Sequence, residues 1–99
     1  MRSRIREWSG YERGQIRRLE EFCANKAHWT VECTHTDAGD PWCMIYDQWR
    51  QRVILHIARM DLQFVVVLPQ DRTAVKKPTM AAAVEIALAR LQTYEMRGS

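Results

Sequence analysis

His35, Cys43 and His56 are the residues of this chain best suited to hold a metal, because thiolate sulfur and imidazole nitrogen are the ligands zinc prefers. If one hairpin pairs His35 with Cys43 and the next pairs Cys43 with His56, the three stand side by side on neighbouring strands, with Cys33 diagonal to Cys43. Their spacing matches no established zinc pattern. The competing reading makes the cysteines small core hydrophobes and the histidines partners of backbone or carboxylate groups. A one-residue slip of either hairpin separates the set, since successive strand residues point to opposite faces.

Other chemistry is less complete. Cys43 with His56 or His35 offers a nucleophile and a base, and Asp47 is the one carboxylate expected on their face, but no oxyanion hole can be assigned. Glu32, Asp40 and Asp47 are carboxylates of the type a metal-dependent nuclease uses. Glu32 and Asp47 nevertheless fall on opposite strand faces, and no catalytic lysine follows at a characteristic spacing. Asp37, Gly39, Asp40 and Pro41 read as hairpin-turn chemistry: aspartates capping turn amides, a glycine at positive φ and a proline stiffening the exit. They lack the further oxygen ligands and the glutamate at the twelfth position of a calcium loop.

Charge points to a second surface. Arg2, Arg4, Arg6, Arg13, Arg17 and Arg18 stand against only Glu7 and Glu12 in the first 18 residues, and Trp8 or Tyr11 could stack on bases. An arm and helix so equipped can contact phosphates, whereas a solvated helix face is the plainer interpretation. The whole chain has 15 basic and 12 acidic residues, a net charge of +3, which falls well short of a dedicated nucleic-acid stripe. The three cysteines form no Cys-x-x-Cys pair and follow no secretory signal, so reduced thiols in a cytoplasmic, soluble protein are expected. No cofactor is expected apart from the zinc alternative. No apolar run approaches the roughly 20 residues of a membrane span.

The run Asp37-Ala38-Gly39-Asp40-Pro41-Trp42-Cys43, with His56-Ile57-Ala58-Arg59 and Val65-Val66-Val67 after it, resembles a pattern in uncharacterised alphaproteobacterial proteins. The resemblance spans about residues 29–68. It implies a bacterial setting and brings no activity, ligand or catalytic residue.

The elements that must position these residues are legible from period and punctuation. Residues 1–8 read as a mobile or loosely docked basic arm. Ser9 and Glu12 have the spacing of a reciprocal helix cap, and Ile16, Leu19, Phe22 and Cys23 recur at helical spacing, predicting a helix over 9–27. Branched and aromatic runs at Trp29–Thr36, Trp42–Asp47, Arg52–Met60 and Gln63–Leu68, separated by short turns, predict a four-stranded antiparallel meander over 29–68. Pro69 closes the sheet, residues 70–78 connect, and Thr79 caps a second helix over 79–96.

The expected class is therefore α+β in one domain, a four-stranded antiparallel meander flanked by an N-terminal and a C-terminal helix. With the register above, one face carries Val31, Cys33, Cys43, Ile45, His56, Ala58, Val65 and Val67, and the other carries Trp42, Met44, Tyr46, Leu55, Ile57, Phe64 and Val66. Both faces are apolar and need cover. The favoured arrangement seats both helices on the aromatic face and a second copy of the chain on the valine, cysteine and alanine face. With no complete catalytic constellation, the expected function is non-enzymatic: a small interaction or regulatory domain, a homodimer recognising a protein or small ligand. Nucleic-acid binding and a sheet metal site are the alternatives.

Overall fold

The computed structural model describes residues 6–26 and 28–98, with the side chains of 97 and 98 excepted. Helix α1 (Gly10–Cys23) starts where Ser9 and Glu12 satisfy each other: the Glu12 amide donates to Ser9 Oγ at 3.1 Å, and the Ser9 amide donates to Glu12 Oε1 at 2.8 Å. It buries Ile16, Leu19 and Cys23. It stops earlier than the expected residue 27, because Ala24 and Asn25 turn the chain and the Lys26 amide donates to the Cys23 carbonyl at 2.8 Å. Asparagine is a weak helix former that competes for backbone hydrogen bonds.

Strands β1 (Trp29–His35), β2 (Pro41–Asp47), β3 (Arg52–Met60), β4 (Gln63–Leu68) and β5 (Thr73–Lys77) pair in chain order as one antiparallel sheet. The sheet thus has five strands where the sequence predicts four. Pro69–Asp71 forms a tight 3-10 turn, and Arg72 takes a left-handed conformation with φ 55°, so the chain reverses instead of leaving the sheet. β5 escapes sequence reading because it is short and polar, with only Val75 apolar beside small Ala74. Its Lys76 and Lys77 are typical of an edge strand that resists further pairing.

Register is the second correction. Tyr46 pairs with Val53 and Asp47 with Arg52, as expected, but Ile45 pairs with Leu55, which leaves Ile54 as the extra residue of a bulge. Beyond it every pair shifts by one, so Cys43 lies opposite Ile57 and Met44 opposite His56. The bulge lets two consecutive apolar residues, Ile54 and Leu55, both be fully buried. In the first hairpin Cys33, and not His35, lies opposite Cys43.

Helix α2 (Met80–Gly98) begins at Thr79, whose Oγ1 accepts from the Ala82 amide at 3.1 Å. It packs on α1 and on β3, β4 and β5, while α1 covers β1. The core is Trp8, Ile16, Leu19 and Cys23 from α1 and the segment before it, Cys43, Ile45, Ile54, Leu55, Ile57, Phe64, Val66 and Leu68 from the sheet, and Met80, Ala83, Val84, Ala87 and Leu91 from α2. Both helices therefore share one face, but it is the face of Cys43 and Ile45. The expected seat beside Trp42, Met44 and Tyr46 is the opposite, uncovered side.

Candidate functional site

The uncovered face is a ladder of cross-strand rows. Thr34, Trp42, Ala58, Val65 and Lys76 form one row, and Glu32, Met44, His56, Val67 and Ala74 form the next. Tyr46 and Val53 continue it beyond the bulge, and Met60 lies at its other end. Trp42, Met44, Tyr46, Val53, Val65 and Val67 are each half-buried by their neighbours alone. Trp42 stacks on His56 with ring centroids 5.1 Å apart. Burial holds the His56 pKa below the ordinary histidine value, so the ring favours its neutral form, and Nδ1 is buried without a hydrogen-bond partner. The centre of this face is apolar and aromatic, with Glu32 on the β1 edge and Lys76 on the β5 edge.

A groove of about 470 Å³ opens on the helix side, between the start of α1 and β1. Trp8, Arg13, Ile16, Arg17, Cys33 and His35 line it, together with Glu7 and Glu20. Cys33 is exposed there, whereas Cys43 across the strand pair is buried. Hydrogen bonding with the Cys43 thiol lowers the Cys33 pKa to about 7, against burial and Glu20, with Arg13 assisting. The same hydrogen bond, with burial, raises the Cys43 pKa.

The expected metal set is not assembled. His35 lies opposite Pro41 with Nε2 3.6 Å from Glu7, Cys43 is in the core, and His56 is on the far face. Among the described residues no group of three or more His, Cys, Asp or Glu side chains is placed to hold a metal ion. The nuclease carboxylates are equally dispersed: Glu32 is exposed on the open face, Asp40 binds Arg6, and Asp47 is buried at the end of β2.

At the first hairpin Gly39 has φ 89°, and its amide donates to the Thr36 carbonyl at 2.9 Å. The Asp40 amide is capped by Thr36 Oγ1 at 3.1 Å, in place of the expected aspartate cap. Asp37 is exposed, and Pro41 begins β2 in a buried position. Arg6 clasps this turn: its amide donates to the Gly39 carbonyl at 2.8 Å and its guanidinium to Asp40 at 2.9 Å. Trp8 is buried, so the end of the basic arm is docked, while Arg2 and Arg4 lie outside the described residues. Arg13 donates to the Trp8 carbonyl at 3.2 Å, and Arg18 pairs with Glu85 of α2. Arg17 is exposed and lines the groove. Arg6, Arg13 and Arg18 thus each make a bond within the chain.

Two constellations escape the sequence reading. The Cys33–Cys43 pair follows from Pro41, which has no amide hydrogen and so fits opposite His35 at a position without ladder bonds. Asp47 is a buried hub that accepts from the Trp49 and Arg50 amides at 3.0 and 3.1 Å, from the Arg50 guanidinium at 3.1 Å and from the Tyr94 hydroxyl at 2.8 Å. Comparison with known proteins finds no matching family model, no matching curated protein and no matching solved structure.

Proposed function

We propose that this chain is a non-enzymatic interaction domain that self-associates through its uncovered sheet face. The observation that carries the reading is that both helices pack on one side of the sheet, leaving Trp42, Met44, Tyr46, Val53, Val65 and Val67 contiguous and uncovered. Apolar patches of this kind, rimmed by polar residues, are where soluble proteins bind other proteins. A second copy is the occupant the edge charges favour. A two-fold axis running along the strands lays β1 of one protomer over β5 of the other, bringing Glu32 towards Lys76 at both rims.

Light scattering on the purified chain tests this. The wild type is expected at twice the chain mass, and Met44→Glu, which plants a charge at the centre of the face, is expected at the monomer mass with its circular dichroism unchanged. A wild type that stays monomeric at high micromolar concentration would overturn the reading, as would a Met44→Glu chain that remains dimeric.

A further inference from the structure

The helix side of the sheet carries a second feature, independent of the open face. Cys33 and Cys43 are directly opposed on β1 and β2. The Thr36 amide bonds the Asp40 carbonyl at 2.9 Å, so Thr36 and Asp40 are a hydrogen-bonded pair. Alternation then makes His35 and Pro41 non-bonded, Thr34 and Trp42 bonded, and Cys33 and Cys43 non-bonded. Non-bonded pairs bring Cα atoms to about 4.5 Å, within the roughly 4.4–6.8 Å that a disulfide spans. The chain is in its dithiol form, with all three cysteines free.

The two sulfurs differ in access. Cys33 opens onto the groove beside α1, and Cys43 is 1% exposed beneath the helices. The charged and titratable groups around the Cys33 side of the groove are Glu7 from the arm, Arg13, Arg17 and Glu20 from α1, and His35 from its own strand. A solvent-accessible cysteine directly opposite a buried second thiol has the arrangement of an attacking thiol with its resolving partner.

We propose that Cys33 and Cys43 are a peroxide-responsive dithiol, in which Cys33 attacks a hydroperoxide and Cys43 resolves the product as an intramolecular cross-strand disulfide. The Cys33 thiolate attacks one peroxide oxygen, the O–O bond breaks, and the departing hydroxide or alkoxide takes up a proton, leaving a sulfenic acid on Cys33. Cys43 sulfur then attacks Cys33 sulfur. The S–O bond breaks, and hydroxide leaves as water with the Cys43 proton. Two thiols are oxidised by two electrons, and one peroxide is reduced to two waters, or to water and an alcohol.

The test uses the full reduced chain, hydrogen peroxide in slight molar excess, and peptide mass mapping without reduction. A Cys33–Cys43 linked peptide is expected, reversed by dithiothreitol, with Cys23 still alkylated once the chain is unfolded. Cys33→Ser should lose the intramolecular link entirely. In Cys43→Ser, dimedone should trap the sulfenic acid on Cys33. Because Cys43 is buried and its replacement can compromise folding, the wild-type map and Cys33→Ser decide the matter without it. Three results would overturn the proposal: both thiols left free, Cys33 driven to sulfinic acid with Cys43 still alkylatable, or two chains cross-linked through Cys33.

Discussion

At the scale of single residues, Asp47 is a carboxylate held wholly inside the fold. Burial alone would raise its pKa, but the bonds from the Tyr94 hydroxyl, the Arg50 amide and guanidinium and the Trp49 amide prevail and hold it below the ordinary carboxylate range. The unfolded chain therefore takes up this proton at a higher pH than the folded one. The stability Asp47 contributes is complete above about pH 4 and is lost as pH falls through the lower, folded pKa. Asp47→Ala leaves Tyr94 and Arg50 without their acceptor and should cost about 3–5 kcal/mol in chemical denaturation. Tyr94→Phe removes one bond and should cost about 1–3 kcal/mol. In the wild type, acid titration of the melting temperature should show a drop below about pH 4 that is absent in Asp47→Ala.

The thiols allow a second test at this scale. Cys33, lowered to about 7, should react with iodoacetamide at a rate that climbs through neutral pH and levels off above it. Cys23, pushed up to about 11 by burial, should stay inert in the folded chain at neutral pH. Equal labelling of the two would contradict the burial and charge assigned to each. Sequence alone identifies Asp47 as a carboxylate and Cys33 as a thiol. It does not reveal that the first collects four hydrogen bonds, because its partner Tyr94 is 47 positions away in helix α2.

At the scale of elements, the helices were legible because caps and periodicity are local. Ser9 with Glu12 and Thr79 announce both helix starts, and the strands of the first four runs lie where branched and aromatic residues concentrate. The fifth strand and the bulge were not legible for related reasons. β5 has too little apolar content to signal itself, and Ile54 is consistent with either face until Leu55 is placed. That one extra residue reassigns His56 to the open side, dissolves the metal set and decides which face the helices cover. The capping glutamate also has a tertiary task, since Arg59 of β3 donates to Glu12 Oε1 at 2.6 Å. Ser9→Ala should therefore cost about 1 kcal/mol, the ordinary value of a cap. Glu12→Ala should cost about 3 kcal/mol, because it also strands a partly buried guanidinium. Equal melting temperatures for the two variants would show that the Arg59 pair contributes nothing.

At the scale of the whole molecule, a sheet covered on one side only defines two unlike surfaces. The helix side closes a core and carries the groove with its dithiol, and the other side exposes aromatic and branched residues between an acidic and a basic rim. No helix among the described residues is long and apolar enough to cross a membrane. That both sheet faces are apolar was legible in the sequence, since branched and aromatic residues fall on both sides of the alternation. Which face would remain free depended on the bulge. The most direct test of face-to-face pairing is sedimentation equilibrium on the wild type, Glu32→Lys, Lys76→Glu and the double exchange. The two-fold geometry predicts a wild-type dimer, about tenfold weaker association in each single variant, and recovery in the double variant. A monomeric wild type, or single variants that associate as tightly as the wild type, would contradict it.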